Sequence, residues 1–221
     1  VIQDMSETQP ATAPTAADAP WAQLDQLLTL GTSTVYEGSG LDCWVDPRIR
    51  PMWKGARAVG PAFTAQAAPG DNLALQRAVR EAPEGSILVV DGGGLEYGHW
   101  GGILTEIAIL RNLAGLVIDG TVRDIDEIEE SGFPVFATGI AMRHAEKRVA
   151  GTIGEPITLG GRVVGSGDII VADTDGVVAV PRDRLTQALD GALERAEKER
   201  LRLQTIRGGD VPPMTSEEAT C

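Results

Sequence analysis

The chain has 221 residues, 43% of them apolar and 23% charged, which is enough for one domain with a substantial core. Its 19 basic and 32 acidic side chains give a formal charge of −13, so neither nucleic acid nor an anionic membrane is expected as a partner. No run approaches the ~18 consecutive apolar residues of a spanning helix, and 2 cysteines are too few for a disulfide scaffold.

Residues 1–20, rich in Ala, Thr, Pro and Asp, and residues 210–221, with Pro212-Pro213 and Glu217-Glu218, are expected to be disordered tails. They flank a single catalytic-type domain over 21–209 that holds all 27 glycines and a charge of −7. With no basic region leading into an apolar run at the start, no signal peptide is expected. Cys43 and Cys221 read as free thiols of a cytoplasmic protein.

Within the domain, apolar residues at helical spacing predict a helix over 21–30, and a strand follows at 59–67. Pro69-Gly70-Asp71 turns into a helix over 72–81, and a buried strand at 87–90 ends in Asp91-Gly92-Gly93-Gly94. A helix over 102–113, a strand at 115–119, a short acidic helix after Arg123 and a strand at 134–137 come next. Short β runs punctuated by Gly fill 151–180, and an amphipathic helix from Asp183 to about Arg207 closes the domain. Repeated βα units followed by a β-rich return define the α/β class.

The two glycine-rich strand exits carry the chemistry. The first leads through His99-Trp100-Gly101-Gly102 into a helix, whose N-terminal N–H groups suit an anion; the second, Asp119-Gly120-Thr121-Val122-Arg123-Asp124, opens the acidic helix. Arg123-Asp124 followed by Glu127 sets a fixed cation beside hard oxygen donors. That suits a Mg²⁺ or Mn²⁺ site holding a small 2-oxo acid. The competing reading makes Asp124 an ordinary helix N-cap on a solvated acidic helix. His144, beside Arg143, Lys147 and Arg148, reads as a solvated loop histidine, and Glu199 as an i,i+4 partner of Arg195.

The run Gly115-Leu116-Val117-Ile118-Asp119-Gly120-Thr121-Val122-Arg123-Asp124 resembles the signature of the regulator-of-ribonuclease-activity-A-like proteins. The likeness continues at Pro69-Gly70-Asp71-Asn72, at Gly85 through Asp91, from Gly167-Asp168 to Pro181, and at Lys198-Glu199. That family includes the 4-hydroxy-4-methyl-2-oxoglutarate and 4-carboxy-4-hydroxy-2-oxoadipate aldolases. The resemblance implies an αββα sandwich of the phosphohistidine-domain (swivelling) type, assembled as a homotrimer with sites between subunits. It also implies a class II pyruvate aldolase, with oxaloacetate decarboxylase activity, that needs Mg²⁺ or Mn²⁺. On that likeness Arg123 stabilises the enolate, Asp124 holds the metal, Glu127 matches the acid after Arg-Asp, and the N–H groups near Ile103 and Leu104 hold the substrate carboxylate beside Gly101 and Gly102. Glu199 matches a Glu that approaches the neighbouring subunit's metal through water.

This chain departs from the pattern at one catalytic position. The aldolases carry an acid twenty-one positions before the Arg, and here that position is Gly102. His99 and Glu106 are the candidate replacements. Tyr36-Glu37 also stands where many relatives have Asp-Ala. Two other functions stay open beside the aldolase: another lyase, isomerase or dehydratase step on the same scaffold, and a non-catalytic regulator that binds a ribonuclease.

Overall fold

A computed structural model describes residues 21–212; the remaining residues of the two expected tails, and Cys221, lie outside the described residues. Two helices, α1 (Trp21–Leu30) and α2 (Thr32–Ser39), precede a short strand β1 (Arg50–Pro51) and the long strand β2 (Ala58–Gln66). Then come α3 (Leu73–Glu81), β3 (Ile87–Asp91), α4 (Gly102–Leu110), β4 (Gly115–Asp119), β5 (Thr121–Val122), α5 (Ile125–Ser131), β6 (Val135–Ala137) and β7 (Gly139–Ile140). The return consists of β8 (Thr152–Ile153), β9 (Ile157–Leu159), β10 (Arg162–Val164), β11 (Ile169–Ala172) and β12 (Val177–Val180). A 3₁₀ turn at Arg182–Arg184 leads into α6 (Leu185–Arg207).

The main sheet runs β1-β6-β4-β3-β2-β11-β12, with β8 also on β2. Strands β2, β3, β4 and β6 are parallel, because α3, α4 and α5 cross between them. Strands β11 and β12 are antiparallel, and the first half of β2 pairs with β11 while its second half pairs with β3. Leu88, Leu116 and Ile118 face Leu75, Val79, Leu104 and Ile128 of the three crossover helices. The other face, through Ile87, Val89, Val117 and Phe136, packs on Ile157, Leu159, Val164 and Ile170. The outer face of β11 and β12 (Ile169, Val171, Val178, Val180) is covered by α1, α2 and α6 through Leu24, Leu27, Val35 and Leu189. The uninterrupted apolar runs of β3 and β4 follow from burial on both faces.

Three helices depart from the sequence expectation, and the short strands β1, β5 and β7 are absent from it. Helix α4 stops at Leu110, short of Leu113, and Asn112 takes a left-handed φ of 53° in the turn that follows. Helix α2 is absent from the periodicity reading, since Thr, Val, Ser and Gly are weak helix formers. Tertiary contact holds it: Gly38 meets Gly191 of α6 so closely that a Cβ on Gly38 would lie 2.5 Å from Gly191 O. Helix α6 begins at Leu185 instead of Asp183, which falls in the 3₁₀ turn. Among the described residues no helix is long and apolar enough to cross a membrane. Cys43 is a buried free thiol whose pKa is pushed up by burial.

Candidate active site

The two strand exits interlock through backbone. The N–H groups of Gly92 and Gly94 both donate to Asp119 O, at 2.9 and 3.1 Å, and a Cβ on Gly92 would lie 2.7 Å from that oxygen. These glycines are therefore architectural. The chain then runs back along β5: His99 N donates to Thr121 O at 3.1 Å and Arg123 N to Trp100 O at 2.9 Å. That ladder carries Gly101 and the start of α4 to Arg123. Trp100 anchors it from below, fully buried, with Nε1 donating to Thr105 Oγ1 at 2.8 Å and the ring stacked on Phe133.

Asp124 precedes α5 with a left-handed backbone, φ 59° and ψ 43°, and its carboxylate does not cap that helix. Asp124 Oδ2 instead accepts the Gly102 N–H at 3.0 Å and lies 3.6 Å from Arg123 Nε. The N-cap reading is thus corrected: the side chain caps the neighbouring helix. A Cβ at residue 101 would overlap Asp124 Oδ2, and one at residue 102 would overlap Glu127 Oε2. The helical ladder of α4 begins with Thr105 N donating to Gly101 O at 3.1 Å, so the Ile103 and Leu104 N–H groups lie ahead of its first rung.

A cleft of about 160 Å³ opens over this helix start. Asn72, at the N-cap of α3, and Gln76 and Arg80 on that helix line it, with Ile103, Leu104 and Ile107 from α4. Arg123 and Asp124 face them, and a strap over 141–149 adds His144 and Lys147. The strap is fastened by backbone: Gly98 N to Arg143 O at 2.8 Å, and Asn72 N to Glu146 O at 2.9 Å. Buried Asp71 completes the fastening. Its carboxylate accepts Leu73 N at 2.8 Å, Arg148 N at 2.6 Å and Val149 N at 3.0 Å. Burial alone would raise the Asp71 pKa, but these three donors outweigh it and hold it below the usual carboxylate range.

The cleft gathers Arg123, Asp124, Gly101, Ile103 and Leu104, with Gly102 and Glu127 alongside. His99 also lines it, yet the residue is 0% exposed and neither ring nitrogen has a hydrogen-bond partner. Burial pushes its pKa down, favouring the neutral imidazole. Glu106 is exposed on α4 and does not line the cleft. Glu199 sits on α6, on the layer away from the cleft, with Arg195 Nε 2.7 Å from its carboxylate; Arg195 also pairs with Glu37. His144 is exposed, as the solvated-loop reading expects, and stands at the cleft wall. Arg80 and Gln76 escaped the sequence reading; their signal is the polar spacing Asn72, Gln76, Arg80 opposite apolar Leu75 and Val79.

Among the described residues no three His, Cys, Asp or Glu side chains form a ready metal cage. Two carboxylates lying where the Cβ atoms of Gly101 and Gly102 would stand nevertheless fit a hard divalent cation that keeps much of its water.

Fold and cleft together define an α/β protein with a guanidinium and carboxylates gathered at a helix start. The family model described as RraA-like, Aldolase/RraA, matches residues 29–179, and the chain belongs to that family. A protein of Halalkalibacterium halodurans, provisionally named a 4-hydroxy-4-methyl-2-oxoglutarate aldolase, is 35% identical over 159 residues, 72% of this chain and 76% of that one. Protein DlpA of Legionella pneumophila is 33% identical over 171 residues, 74% of this chain, which spans only 28% of the length of DlpA. Among solved structures, an uncharacterized protein from Pseudomonas syringae superposes with a TM-score of 0.81 at 29% identity, covering 93% of this chain and 96% of that one. Streptomyces coelicolor RraAS2, described as an unusual member of the RNase ES inhibitor RraA protein family, gives 0.74 at 25% identity over 87% and 98%.

Proposed function

We propose that this protein is a divalent-metal-dependent carbon–carbon lyase acting on a small 2-oxo acid, as a class II pyruvate aldolase or oxaloacetate decarboxylase does. One observation carries the reading: Arg123 and Asp124 stand 3.6 Å apart against the Gly101-Gly102 start of α4. The aldolase name of the Halalkalibacterium relative supports it. The substrate carboxylate rests on the Ile103 and Leu104 N–H groups, where the helix dipole favours negative charge. Mg²⁺ or Mn²⁺ beside Asp124 would supply Lewis acidity toward the 2-oxo oxygen. In the retro-aldol direction the C3–C4 bond breaks as the C4 hydroxyl loses its proton, and the electron pair moves to the C2 oxygen. Arg123 donates hydrogen bonds to that enolate oxygen, and a proton returned to C3 gives pyruvate.

Gly102 leaves the proton transfer to another group. His99, in the cleft wall but fully buried, and Glu106, exposed but outside the cleft, are the two candidates for this role. Glu199, paired with Arg195 on α6, would serve a neighbouring copy's site in a homotrimer. Exposure of Ile103 (80%) and Leu110 (82%) on α4 supports an assembly that covers this helix. Helices α3, α4 and α5 against one face of the main sheet, and α1, α2 and α6 over the outer face of β11 and β12, support the swivelling αββα type.

The test is pyruvate release from a 4-hydroxy-2-oxo diacid and from oxaloacetate with Mn²⁺ present. Release from either is expected; none from both overturns the proposal. The RNase ES inhibitor family named for RraAS2 favours one other reading, a protein-binding regulator. Calorimetric titration with Mn²⁺ and oxalate separates the two, since a pure binder gives no heat beyond that of Mn²⁺ and oxalate mixed without protein.

A further inference from the structure

We propose that Glu127 is a second carboxylate ligand of the divalent cation at Asp124, and that residue 102 is glycine in order to admit it. The inference rests on the reading of the cleft as a metal-dependent lyase site. Asp124 immediately precedes α5 and Glu127 stands in its first turn. Both carboxylates reach within 4 Å of a single point, the position a Cβ of residue 102 would take: Glu127 Oε2 overlaps it and Asp124 Oδ2 lies 3.9 Å away.

Backbone geometry does not call for glycine there. Gly101 is extended, at φ −171°, and Gly102 is absent from the residues with positive φ. What glycine provides is space for carboxylate oxygen. Glu127 makes no side-chain hydrogen bond or ion pair among the described residues, whereas Asp124 is already engaged by Arg123 and the Gly102 N–H. Two like charges converging on one point repel, and a divalent cation between them turns that repulsion into attraction. One or two carboxylates completed by water and a chelating substrate are the usual shell of Mg²⁺.

The experiment is Mn²⁺ titration of the full chain, with free Mn²⁺ followed by electron paramagnetic resonance. Wild type is compared with Glu127→Gln, Gly102→Ala and Asp124→Asn. Glu127 is exposed, so its substitution leaves the fold intact, and far-UV circular dichroism checks this. The expected result is at least about tenfold weaker Mn²⁺ binding in Glu127→Gln. Gly102→Ala should show a similar loss, because its Cβ displaces the Glu127 carboxylate. If both variants bind within about twofold of wild type while Asp124→Asn loses binding, the Glu127 proposal is overturned and the lyase site stands. If Asp124→Asn binds like wild type as well, the reading of the cleft falls with it.

Discussion

Asp124 Oδ2 accepts the Gly102 N–H at 3.0 Å, so the residue that opens α5 caps α4. The left-handed backbone at Asp124, φ 59°, turns its carboxylate away from its own helix. Such a conformation is costly for a non-glycine residue and persists where surrounding contacts fix it. Here those contacts are Gly102 N–H and the Arg123 guanidinium, which locks the two strand exits into one site.

Arg123→Ala should lower pyruvate release from any accepted 2-oxo acid by at least about a hundredfold, the usual consequence of removing an oxyanion donor. Steady-state assay with Mn²⁺ measures it. Activity within tenfold of wild type would place the enolate elsewhere.

Asp71→Ala should destabilise the protein by about 1–3 kcal/mol, because three part-buried N–H groups lose their acceptor together. Urea unfolding gives the number. Since the folded pKa of Asp71 is depressed, its contribution is fully present above the unfolded value near ~3.9 and is lost as pH falls through the folded value. Hydrogen exchange should show Arg148 and Val149 losing protection in the variant.

His99 predicts a separate loss of stability at milder acidity. Its folded pKa is lowered by burial, so below the unfolded value near ~6.5 the unfolded state binds a proton that the folded state refuses. Stability should fall by up to about 1.4 kcal/mol per pH unit from pH ~6.5 down to the folded pKa. His99→Asn should flatten that slope above pH 5, where Asp71 is still ionised; an unchanged slope in the variant would assign it to another group.

Gly191→Ala should cost about 1–3 kcal/mol, since its Cβ would overlap Gly38 O at the crossing of α2 and α6. Gly40→Ala makes a useful contrast: its φ of 64° is strained but no atom lies within 4 Å, so about 1 kcal/mol is expected. Thermal unfolding of the two variants side by side checks the order.

Much of this was written in the chain. The apolar runs of β3 and β4 are long enough to demand burial on both faces, which fixes parallel strands with crossover helices. Arg123, Asp124 and the Gly101-Gly102 helix start were legible because strand exits in α/β sheets are where ligands collect. Helix α2 was not legible, since its stability comes from the close approach of Gly38 to Gly191, 153 residues away. The cationic wall was equally hidden: Arg80 and Lys147 lie far apart in sequence and meet only because Asp71 and Asn72 fasten the strap.

Sequence by itself determined the class of fold, the family and the residues that could carry the chemistry, because periodicity and strand-exit motifs are local properties. Only the tertiary structure decided what Gly102 means. Read along the chain it is an acid lost; in space it is the opening into which α5 places the Glu127 carboxylate, beside the Asp124 that caps α4. The physical reason is that excluded volume and charge act through space, and neighbours in space need not be neighbours in sequence.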